Sequence, residues 1–150
     1  MSFLEELSRN QALWTALAAW ALAQFIKVPL EFIEHRRWNW GLWFSSGGMP
    51  SSHSALVIST MLSIGIQEGF DTPAFAIATT IAMVIVYDAA GVRREAGRHA
   101  ERINILINEL ISGHPVNEKQ LKEVIGHTPT EVVMGVILGI ATAVISYLFF

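Results

Sequence analysis

The sequence predicts an all-α, multi-pass membrane bundle of about four transmembrane helices with one amphipathic interfacial helix. Three observations predict it. Hydrophobic residues make up 52% of the 150 positions and charged residues 15%, at a mean hydropathy of +0.43. That is more apolar side chain than a soluble core of this size can hide. Four apolar segments approach spanning length, and a further segment repeats apolar residues at helical spacing on one face only. The length fits one domain over residues 1–150. A net charge of −3 carries no nucleic-acid signature. Cysteine is absent, which excludes disulfides and thiolate metal sites.

The first apolar segment runs from about Leu13 to Ile33, with Lys27 and Pro29 near its far end. Glu5, Glu6 and Arg9 precede it; a secretory signal prefers a basic start, so this reads as a retained span. The second runs from about Ser52 to Gln67, short against the roughly 20 residues a span needs. The third covers about Thr72 to Val92. Between them Glu68-Gly69-Phe70-Asp71-Thr72-Pro73 is a turn followed by a helix start, so these two segments form a hairpin. The fourth follows Glu131 and continues without a charge to Phe150. From Arg94 to Gly126 the pattern changes. Ile103, Leu106, Ile107, Leu110 and Ile111 lie opposite Arg98, Glu101, Arg102, Asn108 and Glu109, as in an interfacial helix. His114-Pro115 ends it, and Asn117 caps a second short helix closed by Gly126. Lys and Arg concentrate in the first and last connections, which places those loops in the cytoplasm and both termini outside the cell membrane.

Chemistry-bearing residues gather at helix starts. Gly47-Gly48-Met49-Pro50-Ser51-Ser52-His53-Ser54 brings two glycines, hydroxyls and an imidazole to the start of an apolar helix, a good seat for an oxyanion. In Gly126-His127-Thr128-Pro129-Thr130-Glu131, Thr128 caps a helix, Pro129 takes its first position and Glu131 lies three after the cap. His127, one turn before that carboxylate, can donate one ring N–H to it and keep the other nitrogen free. Asp88, Arg93 and Arg94 end the third segment; they either pair and snorkel or line a wet cavity. Lys27 with Arg36 or Arg37 reads equally as membrane anchors. Trp38, Trp40 and Trp43 read first as interfacial anchors and second as walls of a lipid-contacting pocket. Gly135, Gly139 and Ala143 form a small-residue stripe that permits close packing inside the bundle or across a homodimer. Fixed cations, a nucleophile and an acid are the parts phosphoryl transfer needs. No metal and no cofactor are expected.

These residues resemble a known superfamily. Pro50-Ser51-Ser52-His53 is similar to the Pro-Ser-Gly-His signature of the type 2 phosphatidic acid phosphatase and vanadium haloperoxidase superfamily. His127 followed by Glu131 and the Gly-spaced helix resembles the end of its third signature, a His, three residues, then Asp. Lys27 with Arg36 or Arg37 resembles its first. The combination looks most like the divergent branch of small bacterial and plastid proteins. Glu131 stands where the family has Asp, and Ser52 where it has Gly. The Arg-Pro after Lys27 is missing, and residues 95–126 intervene between Arg93 and His127 as an insertion.

The resemblance implies a metal-independent lipid phosphate phosphatase. His127 would attack phosphorus, Glu131 would hold its tautomer and His53 would protonate the leaving alcohol. Lys27, Arg93, Gly48, Ser51 and Ser52 would hold the phosphate, with Arg36, Arg37, Arg94 and Asp88 as further candidates. Phosphatidic acid, phosphatidylglycerol phosphate and prenyl diphosphates fit equally. The alternative is a non-catalytic membrane scaffold or anionic-headgroup-binding protein.

Overall fold

A computed structural model of the chain describes residues 2–44, 47–91, 97, 99–100, 102–107 and 128–149. Its helices begin and end where local chemistry dictates. Helix α1 (Phe3–Ser8) opens with a capping box: the Ser2 side chain accepts from the Glu5 amide, and Glu5 accepts from the Ser2 amide at 2.8 Å. Asn10 caps α2 (Gln11–His35), and Arg36 ends it in the left-handed region at φ 56°. A 3-10 helix, Trp40–Phe44, follows. Ser51 caps α3 (Ser52–Glu68). Thr72 caps α4 (Pro73–Ala90), with Pro73 in the first turn, where its missing N–H costs nothing. Helix α5 is Pro129–Phe149. Thr128 accepts from the Glu131 amide at 3.3 Å, the cap the sequence predicts. Residues 102–107 are helical, with Ile103, Ile105 and Leu106 exposed and Asn104 buried. The predicted helix at residues 117–125 lies outside the described residues.

Helix α3 is the centre of the bundle, packed against α2, α4 and α5. Its partners fix directions. A Cβ at Gly135 would meet Ser51 and Ser54, and one at Gly139 would meet Ala55 and Ile58, so α5 runs parallel to α3. Thr15 bonds Ser146 at 2.7 Å near one end of α2, while Lys27 interacts with Glu131 toward the other, so α2 is antiparallel to α5. The predicted hairpin forms: Gly69, at φ 109°, ends α3, and Gly65 leaves the room that the rings of Phe70 and Phe75 fill. Those rings meet edge to face at 5.0 Å.

Among the described residues the expected four or so spans become three. Gln11–Ile33, Pro73–Ala90 and Pro129–Phe149 are long and apolar enough to cross a membrane. Helix α3 has 17 residues, roughly 25 Å at 1.5 Å per residue, against a hydrocarbon core of about 30 Å. Its shortness is tolerable because it is enclosed by the other helices rather than by lipid. The core is built from small side chains, Ala19, Ala23 and Ala55, with Leu138 against them. Large apolar residues face outward instead, among them Leu17, Phe25, Ile81, Val84, Ile137 and Val144. Small inside and large outside suits a bundle whose surroundings are as apolar as its core.

Candidate active site

Helix directions bring the polar motifs to one end of the bundle. The C-terminal turns of α2 and α4 and the N-termini of α3 and α5 all lie there. Two parallel helices thus present their positive dipole ends side by side, an arrangement that favours an anion.

Ser51 is the joint between the two motif loops. Its amide donates to the Glu131 carbonyl at 2.9 Å. Its hydroxyl oxygen accepts from the Ser54 amide at 3.4 Å and from the Ser54 hydroxyl at 3.0 Å. Ser51, Ser52 and Ser54 are all buried. Gly135 makes the approach possible, since any Cβ there would run into the Ser51 carbonyl. The stripe of Gly135, Gly139 and Ala143 is therefore used inside the bundle, against α3, and is not left as a face for a second copy.

Lys27 is 1% exposed. An anchor would send its ammonium to water, so burial decides against the snorkelling reading. Gly48 lies over its stem: a Cβ added there would be 3.8 Å from Lys27 Cδ and 3.6 Å from Leu42 Cδ2. At φ 85°, Gly48 holds a backbone conformation that other residues adopt only with strain. Glu131, half-buried, is the carboxylate whose charge Lys27 feels. The structure thus gathers Lys27, Gly48, Ser51, Ser52 and Glu131 around the paired helix starts. His53, at the second position of α3, is exposed, and Asp88 is half-buried on the last full turn of α4. Arg36 and Arg37 are exposed; the Arg36 amide closes α2 on the Phe32 carbonyl at 2.9 Å. His35 is also exposed and faces Glu31 at 3.5 Å. Among the described residues no three His, Asp or Glu side chains gather as a metal set. His127, Arg93 and Arg94 lie outside the described residues. Of that group the chain places His127 immediately before the Thr128 cap.

Sequence reasoning missed Gln24, which holds the Trp43 that it read as an anchor or pocket wall. One turn before Lys27 on α2, Gln24 donates its Nε2 to the Trp43 carbonyl at 2.8 Å. Its Oε1 and the indole Nε1 of Trp43 are buried with no partner. A polar amide one turn from a lysine in an apolar helix was the available signal. Trp43 stands among aromatic neighbours, Phe25 at 5.7 Å and Trp40 at 5.2 Å, while Trp38 stacks on Phe32 at 4.4 Å. Clefts of about 420 and 670 Å3 lie at the opposite end, around Arg9 and Glu68 and along Trp14 and Ser146, and contain none of the motif residues.

The fold and this end of it define a helical membrane protein with a buried cation and hydroxyls at converging helix N-termini. Residues 8–142 match the family model described as the divergent PAP2 family, and the chain belongs to that family. It is similar to the uncharacterized membrane protein YuiD of Bacillus subtilis (strain 168), 40% identical over 156 residues that cover 96% of this chain and 99% of the relative. No solved structure matches the chain.

Proposed function

We propose that the protein is a metal-independent phosphatase of lipid phosphates, working through a phosphohistidine. The observation that carries this reading is the Ser51 amide on the Glu131 carbonyl. It ties the cap of the helix that carries His53 at its second position to the helix start that His127 precedes, beside the buried Lys27. Motifs more than seventy residues apart in the chain thereby meet at neighbouring helix starts, which supports a shared anion seat. Pairing with Glu131 would hold His127 in the tautomer whose free nitrogen attacks phosphorus. A P–N bond forms as the P–O ester bond breaks. His53 gives its proton to the departing alkoxide, and water then displaces the histidine to release phosphate. Lys27 and Arg93, with the Gly48 and Ser52 amides, would neutralise the three phosphoryl oxygens as charge develops. Ser51 acts one step back by positioning the loop. The concentration of basic residues in the loops at this end supports a cytoplasmic site in the cell membrane.

The test is phosphate release by detergent-purified protein from phosphatidic acid, phosphatidylglycerol phosphate and a prenyl diphosphate. Release should be blocked by vanadate and lost in His127→Ala with the fold retained. His53→Ala should slow turnover by ~10²–10⁴-fold, most for poor leaving groups. A folded His127→Ala protein with normal release would overturn the mechanism. A scaffold would release no phosphate from any of the three.

A further inference from the structure

We infer that Gln24 is a positioning residue of the site: its amide fixes the 3-10 helix on α2, and through Leu42 and Gly48 it confines Lys27. This rests on the phosphatase reading and adds to it a residue that touches neither phosphate nor the reacting atoms. Gln24 Nε2 donates to the Trp43 carbonyl at 2.8 Å. Trp43 belongs to the 3-10 helix Trp40–Phe44, as does Leu42. Leu42 Cδ2 and Lys27 Cδ lie 3.6 and 3.8 Å from where a Gly48 Cβ would be, so Gly48 rests on both side chains. A short path thus leaves α2 at Gln24, crosses the 3-10 helix and Gly48, and returns to α2 at Lys27.

The contacts along this path differ in how firmly they fix position. None of the five residues of the 3-10 helix is fully buried. Its rings meet α2 at two places, Phe32 against Trp38 at 4.4 Å and Phe25 against Trp43 at 5.7 Å. Ring pairs are favourable over a range of offsets, so they tolerate sliding. A hydrogen bond weakens steeply as it bends, so it fixes the register of the backbone it meets. Gln24 supplies that bond from the turn of α2 adjoining Lys27. A polar amide in an apolar span is unfavourable unless it is bonded, and here the bond crosses to the covering element. The lysine needs such confinement. Its ammonium rides on a flexible four-carbon stem and is placed only when the stem is held. Gly48 holds that stem at two carbons, Cγ and Cδ, 3.9 and 3.8 Å from where its Cβ would be.

The experiment uses full-length protein in detergent and the variants Gln24→Met and Gln24→Leu, apolar changes that a spanning helix accepts. Two quantities are measured. One is the acylation rate of Lys27 by a small N-hydroxysuccinimide ester, followed by peptide mass spectrometry. The other is the vanadate inhibition constant for phosphatidic acid hydrolysis. Loss of one hydrogen bond should raise the first and weaken the second by about two- to tenfold. Thr15→Val breaks the 2.7 Å bond to Ser146 at the far end of α2; it should lower Tm comparably and change neither quantity. Gly48→Ala already disturbs the covering loop, so adding Gln24→Met to it should weaken vanadate less than in the wild-type protein. Unchanged Lys27 acylation in both Gln24 variants overturns the inference. Equal changes in Thr15→Val, or strict additivity with Gly48→Ala, overturn it too. A protein that neither hydrolyses the three lipids nor binds vanadate fails the phosphatase reading separately. The acylation rate then decides this inference by itself, a rise supporting it and no rise overturning it.

Discussion

Gly135→Ala tests the joint on which the site depends. A methyl group there would lie 3.0 Å from Ser54 Cβ and 3.1 Å from Ser51 Cβ, and closer still to the Ser51 carbonyl. Overpacking of this kind costs about 1–3 kcal/mol, and the upper half applies because backbone and Cβ atoms cannot rotate aside. Separating α3 from α5 also stretches the Ser51–Glu131 hydrogen bond, at about 0.5–1.5 kcal/mol. Replacing glycine by alanine inside a helix returns about 1 kcal/mol. The net loss is about 1.5–3.5 kcal/mol, or roughly 3–14 °C in Tm at this chain length. Differential scanning fluorimetry in detergent measures it, with phosphate release assayed well below the transition. Release should fall more than the stability loss explains, because the two motif loops move apart. Gly139→Ala is the control: it meets the Ala55 carbonyl at 2.7 Å and Ile58 Cβ at 3.0 Å, one turn farther from the site. It should lose comparable stability and keep more turnover. A Gly135→Ala protein with unchanged Tm and turnover, or a Gly139→Ala protein that is the less active of the two, would refute the reasoning.

The remaining predictions concern the same end of the bundle. Gly48→Ala has room for its methyl, with the nearest atoms 3.6–3.9 Å away, so its penalty comes from φ 85° alone. That is about 1–2 kcal/mol, read as a lower Tm and weaker vanadate inhibition. Lys27→Met leaves Glu131 without its buried counter-charge and should cost about 1–3 kcal/mol, since Glu131 is only half-buried. The double variant Lys27→Met with Glu131→Gln should be less destabilised than the sum of the single changes, and inactive. Strict additivity in thermal denaturation would deny the interaction. Ser51→Ala removes the α3 cap and should cost about 1 kcal/mol, seen as a Tm decrease of roughly 2–4 °C.

What could be read from the sequence was local. Thr72-Pro73 and Thr128-Pro129 with Glu131 mark helix starts because capping involves only the next few residues, and α4 and α5 begin there. Gly69 marks the hairpin for the same reason. Apolar runs without charges announce the spans, since lipid tolerates little else. The two motif loops stood out because glycines, hydroxyls and histidines gather at their helix starts, where the hydroxyls of Ser51 and Thr128 also serve as caps.

Tertiary structure decided what depends on neighbours distant in the chain. A lysine near the end of a span can reach water or turn inward. Here packing encloses Lys27, with the glycine loop over its stem and Glu131 to answer its charge. The stripe of Gly135, Gly139 and Ala143 suited a dimer as well as a bundle until α3 was found lying along it. Among the described residues the span count fell to three because α3 has only 17 residues, and a helix packed against three others is not obliged to match the bilayer's thickness. Gln24 gave only the faint signal of an amide one turn from a lysine, and Trp43 only that of an interfacial anchor, since a buried donor or acceptor acquires meaning only from what the fold places, or fails to place, within hydrogen-bonding reach.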